Sequence, residues 1–117
     1  MAVIEQLIRN SDNQIKLTLT EDGLPISGAW TELDIYINDV NLHRTADGDG
    51  VTLSVSTGVL TITPADLAAG EITLLAALSI RELHPVQIVV TSTLNDDGAV
   101  FGGEGSPLIL FRISDKP

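Results

Sequence analysis

The chain has 117 residues, of which 44% are apolar, and this is enough for one hydrophobic core and too apolar for a disordered chain. Its formal net charge is −10 and its six basic residues are scattered singly, so neither a nucleic acid nor an anionic membrane surface is an expected partner. The sequence contains no cysteine, which excludes disulfides and thiolate chemistry, and its aromatic content of 3% requires an aliphatic core.

Alternation of apolar and polar residues predicts strands in the first part of the chain. The first strand is expected at residues 3–9, and clear alternation follows at residues 15–19 and 33–37. Trp30 falls on the opposite phase to Leu33. Either a bulge therefore lies between these two residues, or the indole faces outward.

The middle of the chain begins with a turn-forming run of Asp and Gly at residues 47–50. Residues 51–55 and 60–62 lie on either side of a Thr-Gly pair, which predicts a hairpin. The one helix-like segment is residues 64–70, because proline suits the first position of a helix and glycine suits its end. It spans about one or two turns, so we expect a connection rather than a layer of the fold.

Two further strands are expected at residues 72–81 and 86–93, separated by a Leu-His-Pro connection, and a last strand at residues 107–113. The whole pattern gives about seven to nine short strands, which is typical of an all-β sandwich or small barrel. We therefore expect one domain over residues 1–113, followed by a short tail at residues 114–117.

Three of the predicted strands are apolar on both faces, although a sandwich strand needs only one buried face. The apolar residues on the second face are Leu75, Val89, Leu108 and Leu110. Either a loop or the helix-like segment covers them, or they form an interface with another copy or a different protein. These four residues are the candidate interface.

Little in the sequence points to catalysis or to a metal. The two histidines, His43 and His84, lack metal-ligand spacing and are expected at the surface or in turns. A glycine-rich run at residues 102–106 lacks the lysine of a P-loop and precedes a strand, so we expect a surface loop. The acidic turn residues that could offer oxygen ligands to calcium, without the spacing of an EF-hand, are Asp47, Asp49, Asp96 and Asp97. No catalytic residue, cofactor or metal site is predicted.

The aromatic residues suggest one further kind of site. Trp30 and Tyr36 could form a minimal platform of the kind on which sugars stack. The aromatic content of 3% argues against a carbohydrate-binding module, because such modules depend on aromatic side chains.

The order of the turn and strand signals is distinctive. A strand rich in Leu and Thr leads into Glu-Asp-Gly-Leu-Pro-Ile at residues 21–26, and Leu-Thr-Ile-Thr-Pro-Ala-Asp-Leu-Ala-Ala-Gly follows at residues 60–70. Over residues 14–81 this order resembles the immunoglobulin-like domains of tailed-phage virion proteins, including the N-terminal domain of the upper baseplate protein family. The chain departs from that pattern at residues 86–93 and in the long loop that follows.

The resemblance implies an immunoglobulin-like β-sandwich and a non-enzymatic structural or accessory protein of a phage particle. Such a protein would sit in the virion in several copies and bind capsid or tail proteins, as a head decoration protein or a tail or baseplate accessory. The alternative is an extracellular adhesin-like or carbohydrate-binding module. An exposed platform at Trp30 and Tyr36 would favour the module, and a dry, apolar outer sheet face would favour the structural protein.

Overall fold

The computed structural model describes the chain as a series of strands with one short α-helix. The described residues are 2–9, 11–21, 24–25, 29–54, 56–80, 82–93, 95–102 and 108–115. The elements in chain order are β1 (Ala2–Arg9), β2 (Ile15–Thr18), β3 (Thr20–Glu21), β4 (Leu24–Pro25), β5 (Trp30–Ile37), β6 (Val40–Arg44), β7 (Val51–Leu53), β8 (Val59–Ile62), a 3-10 helix (Pro64–Asp66), α1 (Ala69–Ala76), β9 (Leu83–Ser92), β10 (Asn95–Gly102) and β11 (Leu108–Asp115). At eight residues, α1 is too short to cross a membrane, and no other helix among the described residues has the length or apolar character to do so.

The strands form two main sheets. The larger has the order β1-β11-β9-β5-β6, with β10 also paired to β9, and the smaller has the order β2-β8-β7. In the immunoglobulin arrangement, strands C, F, G and C′ share one sheet and strands B, E and D share the other. In this chain the place of strand C is taken by β5, that of F by β9, that of G by β10 together with β11, and that of C′ by β6. The places of B, E and D are taken by β2, β8 and β7. The predicted all-β, immunoglobulin-like sandwich is confirmed by this order.

The core lies between the two sheets and is built from the inward phase of each strand. Leu33, Ile35 and Ile37 of β5 are fully buried, and the residues between them face away from the core. Leu17 of β2 and Ile62 of β8 close the core from the smaller sheet. Branched aliphatic side chains suit such a half-buried pleated surface, so the core needs few aromatic residues.

The prediction of a strand at residues 72–81 is wrong, because α1 begins at Ala69 and continues to Ala76. Ala and Leu fill this stretch and are strong helix formers, and an apolar run of this length has no period that separates a strand from a buried helix. The carboxylate of Glu71 accepts a hydrogen bond from the backbone N–H of Ala68 at 3.1 Å, which satisfies one free donor at the helix start. Of the helix-like segment at residues 64–70, residues 64–66 form the 3-10 helix and residues 69–70 begin α1, so Gly70 does not end a helix.

Other boundaries also differ from the expectation. Residues 83–85 belong to β9 rather than to a connection, and β10 occupies part of the region expected to be loop. The sequence did not predict β6, which pairs with β5 from Val40 to Arg44. β11 continues to Asp115, two residues into the expected tail, because it pairs with β1 along its whole length.

Gly50 lies in the turn before β7 with φ of +80°, and a Cβ built there would lie 2.7 Å from the carbonyl oxygen of Thr63. We expect Gly50→Ala to lower the free energy of unfolding by about 1–3 kcal/mol, because the backbone is strained for an L-residue and the obstructing atom is backbone. Gly70→Ala is the matched control, since a Cβ at Gly70 meets nothing within 4 Å and alanine favours a helix by about 0.5–1 kcal/mol. Urea denaturation measures both variants, and equal stabilities would contradict the strain.

Candidate interaction surface

The outer face of the larger sheet carries a group of solvent-exposed apolar side chains. Ile4 is 54% exposed, Val100 is 51% exposed and Tyr36 is 39% exposed, although large apolar side chains normally avoid water. We call the group the apolar face, and its members are Ile4, Tyr36, Leu83, Val89, Val100 and Leu110. They come from β1, β5, β9, β10 and β11, so they extend across most of the sheet.

Strand register brings four of these side chains together as two pairs, and the exposed Gln87 of β9 lies between the two rows. In one row, Val100 of β10 lies opposite Val89 of β9, which lies opposite Asp34 of β5. In another row, Ile4 of β1 lies opposite Leu110 of β11. Side chains directly opposite on one face of an antiparallel pair have Cβ atoms about 4.5–5.5 Å apart, so the row from Val100 to Asp34 is a continuous surface.

The apolar face ends in a polar cluster at the β6 edge of the sheet. Oδ1 of Asp34 accepts a hydrogen bond from Nδ1 of His43 at 2.7 Å and another from Nδ2 of Asn41 at 3.3 Å. His43 is therefore an exposed strand residue whose ring is oriented by a carboxylate. An apolar centre with a polar rim is the usual composition of a protein interface.

The candidate interface residues fall in three different places. Val89 and Leu110 are partly buried members of the apolar face, and the side chain of Leu108 lies outside the described residues. The placement of Leu75 on an outward strand face is wrong, because Leu75 is in α1 and is only 2% exposed. Leu75 packs in the core, so its apolar character needs no partner molecule.

Trp30 and Tyr36 do not form a shared platform. The indole N–H of Trp30 donates to the carbonyl oxygen of Leu53 at 3.1 Å, and the ring packs partly buried against the core. The register of β5 against β9 shifts between Trp30 and Glu32, which confirms the bulge rather than the outward indole. Tyr36 faces outward six residues further along the strand, which corresponds to about 20 Å.

The remaining polar residues also have structural roles. His84 is buried, against the expectation of a surface or turn position, and its Nε2 donates to the carbonyl oxygen of Ser79 at 2.9 Å. Oδ1 of Asp47 accepts the backbone N–H of Leu53 at 2.8 Å, as a turn carboxylate commonly does. Within the described ranges, no group of three or more His, Cys, Asp or Glu side chains is arranged to hold a metal ion. The side chains of Asp96 and Asp97, and residues 103–106, lie outside those ranges.

A buried ion pair that the sequence pattern did not predict joins β6 to α1. Nη1 and Nη2 of Arg44 each donate to one carboxylate oxygen of Glu71 at 2.6 Å. The guanidinium also donates to the carbonyl oxygens of His43 at 2.7 Å, Gly48 at 3.2 Å and Asp49 at 2.9 Å. The hydrogen bond to Glu71 raises the pKa of Arg44, so the guanidinium stays charged in the folded protein. The sequence signal for this ion pair was that Arg44 has the same phase as the buried residues Val40 and Leu42 of β6.

Comparisons with known proteins do not identify a family for this chain. No protein-family model matches the sequence, and no curated protein matches it. Among solved structures, the chain is similar to the extracellular domains of the voltage-gated sodium channel beta4 subunit, a parallel homodimer whose structure is described as explaining a role in cell–cell adhesion. That match has 14% identity and a TM-score of 0.41, and it covers 99% of this chain and 88% of that chain. The fold assignment therefore rests on the strand order given above.

Proposed function

We propose that this protein is a non-enzymatic interaction module that binds a protein surface, including that of a second copy, through the apolar face. The observation that carries the proposal is the exposure of Ile4 and Val100, each more than half exposed, in rows that continue through Val89 and Leu110. Isolated exposed apolar residues are ordinary, but exposed apolar side chains paired on neighbouring strands, with polar residues around them, are typical of a binding site.

The charge of the chain adds a condition to this association. The whole chain has sixteen acidic residues and a net charge of −10, so two copies repel each other at long range. The row from Val100 to His43 contains a single carboxylate, that of Asp34. A contact made through the apolar face is therefore mainly apolar, and association between copies should tighten as salt screens the repulsion.

A finer form of the proposal places the protein in a phage particle, where it would coat or connect capsid or tail proteins. The support is the resemblance of residues 14–81 to the immunoglobulin-like domains of tailed-phage virion proteins. The competing form is an extracellular adhesin-like module, which would use the same apolar face. Sugar binding is the weaker alternative, because Trp30 is held by its bond to Leu53 and does not join Tyr36 in a platform. Presence of the protein in purified particles would support the first form, and presence on a cell surface the second.

We expect Val100→Asp to weaken association by at least about tenfold while leaving the β spectrum unchanged, because it brings an unpaired carboxylate into the contact. Thr52→Asp is the matched control, since Thr52 is an exposed strand residue of the smaller sheet and the change in charge is the same. Sedimentation and light scattering at several salt concentrations measure the association. Leu75→Asp should instead unfold the domain, because Leu75 is in the core.

The outcome that contradicts the proposal is clear. A wild-type protein that stays monomeric at high concentration and salt, and that binds neither particles nor cells, would leave the apolar face without a role. Equal effects of Val100→Asp and Thr52→Asp would show that net charge, rather than the apolar face, controls association.

A further inference from the structure

Among the described strands, the sandwich has an open side between the last strand of each sheet. β1 is the last strand of the larger sheet, and β2 is the last strand of the smaller sheet, where its partner among the described strands is β8. In the immunoglobulin order the first strand shares a sheet with strands B, E and D. Here β1 pairs in parallel with β11 instead. No strand of the described ranges fills the place beside β2.

The backbone of β2 leaves hydrogen-bonding groups on that open edge. The N–H of Leu19, just after β2, donates to the carbonyl oxygen of Gly58 at 2.8 Å, on the β8 side. In an antiparallel pair, successive residues direct their backbone groups alternately toward the partner strand and away from it. The backbone N–H and C=O groups of Ile15, Leu17 and Leu19 therefore face β8. Those of Lys16 and Thr18 face the open edge.

A cavity lies on the inner side of this edge. It has a volume of about 240 Å³ and opens between β1 and β2. Its apolar lining comes from both sheets and consists of Val3, Leu17, Leu19, Phe101 and Ile109. Lys16 and Glu5 also border it, so charge is present beside the apolar interior. The volume is below the 300–1,000 Å³ of pockets for drug-sized ligands, and it suits a few aliphatic side chains.

We infer that the open edge of β2 is a docking site for an extended peptide segment of a partner protein, which adds as a further strand to the smaller sheet. Free backbone donors and acceptors two residues apart match another strand, which repeats at about 6.6 Å per two residues. The cavity requires apolar side chains at every second position of that segment. The net charge of −10 attracts a segment that is basic overall, with Lys16 as the single cation of β2 that opposes it. This site is separate from the apolar face, so it goes beyond the function proposed above.

Amide hydrogen exchange measured by NMR on the whole chain tests the first requirement. The amides of Leu17 and Leu19 should be protected in the free protein, and those of Lys16 and Thr18 should exchange rapidly. Slow exchange at Lys16 and Thr18 would mean that the chain itself covers the edge, and the inference would be overturned.

Titration with synthetic peptides tests the second requirement. Lys-Val-Lys-Leu-Lys-Ile-Lys should protect the amides of Lys16 and Thr18, whereas Lys-Lys-Val-Leu-Ile-Lys-Lys, of the same composition without alternation, should not. Glu-Val-Glu-Leu-Glu-Ile-Glu should bind at least about tenfold more weakly than the first peptide at low salt. Protection of β1 amides instead, or equal binding of the alternating and scrambled lysine peptides, would overturn the inference.

Two variants of the edge sharpen the test. Thr18→Pro removes one N–H that faces the edge without removing a bond to β8, and proline is tolerated at such edge positions. This variant should weaken binding of the alternating peptide by about tenfold or more. Its control, Thr18→Ala, keeps the N–H and should bind the peptide as the wild type does. Val3→Phe, which fills the cavity, should also exclude the peptide and serves if Thr18→Pro does not fold. Binding unchanged by Val3→Phe in a folded protein would contradict the site.

Discussion

Replacing Arg44 by Met is expected to lower the free energy of unfolding by about 3–5 kcal/mol, the cost of removing one partner from a buried ion pair. Arg44 is only 9% exposed, and its loss leaves the carboxylate of Glu71 without a cation. The backbone carbonyl oxygens of His43, Gly48 and Asp49 each lose the hydrogen bond that Arg44 donates. Methionine keeps much of the aliphatic length, so the change is mainly one of charge and hydrogen bonding.

Chemical denaturation at neutral pH measures this effect. Arg112→Met is the matched control, because Arg112 is exposed on β11, and its effect should stay within about 0.5 kcal/mol. The double variant with Glu71→Met should recover part of the loss, since it removes the uncompensated carboxylate. The pKa of Arg44 is raised in the folded state. The stabilisation that the ion pair contributes is therefore complete below the ordinary arginine pKa, and it is lost only when the pH rises through the pKa of the folded state. A loss below about 1 kcal/mol in Arg44→Met would mean that the pair is largely solvated.

Ile35→Ala is expected to cost about 2–5 kcal/mol, because it removes a fully buried side chain between the two sheets. Leu17→Ala and Ile62→Ala should cost similar amounts from the smaller sheet, where both residues are buried. Tyr36→Ala is the control one residue away, since Tyr36 points outward on the same strand. Measured unfolding free energies should therefore differ sharply between neighbouring positions of β5. Equal losses at Ile35 and Tyr36 would contradict the inward phase of this strand.

The parts of the fold that the sequence predicted are those with strict alternation. The inward residues at positions 15, 17, 33, 35 and 37 are buried as expected, and the hairpin of β7 and β8 turns at the Thr-Gly pair. A period of two allows only one face to be buried, so the pattern fixes both the strand and its orientation. Apart from the two-residue strands β3 and β4, nine strands are described, within the predicted range.

The predictions failed in the segments where apolar and polar residues do not alternate strictly. The run from Leu74 to Leu78 is apolar throughout, and its assignment depends on the bond from Ala68 to Glu71 and on packing of Leu75 against the core. β6 was not predicted because Arg44 occupies an inward position, where a charged residue interrupts the alternation of apolar and polar residues. Its partner Glu71 is 27 residues away, and only the tertiary structure joins the two.

The candidate site was predicted in part. The two-faced character of residues 86–93 and 107–113 correctly placed Val89 and Leu110 outward, because these strands do alternate around buried neighbours. Ile4 and Val100 were missed, since the outward role of a single apolar residue depends on which strands lie beside it. Whether the apolar face serves as an interface stays a prediction.

The parallel pairing of β1 with β11 has a consequence for how the protein matures on the ribosome. Ala2 lies opposite Leu108, so the two partners are separated by nearly the whole chain. Contacts between residues so distant in sequence slow folding, because a large loop must close before the pairing stabilises anything. β1 is synthesised before the other described strands, and it therefore has no neighbour in its sheet until β11 has been synthesised. During that interval its apolar residues lack their partners, so we expect this to be the stage at which the protein is most prone to aggregate.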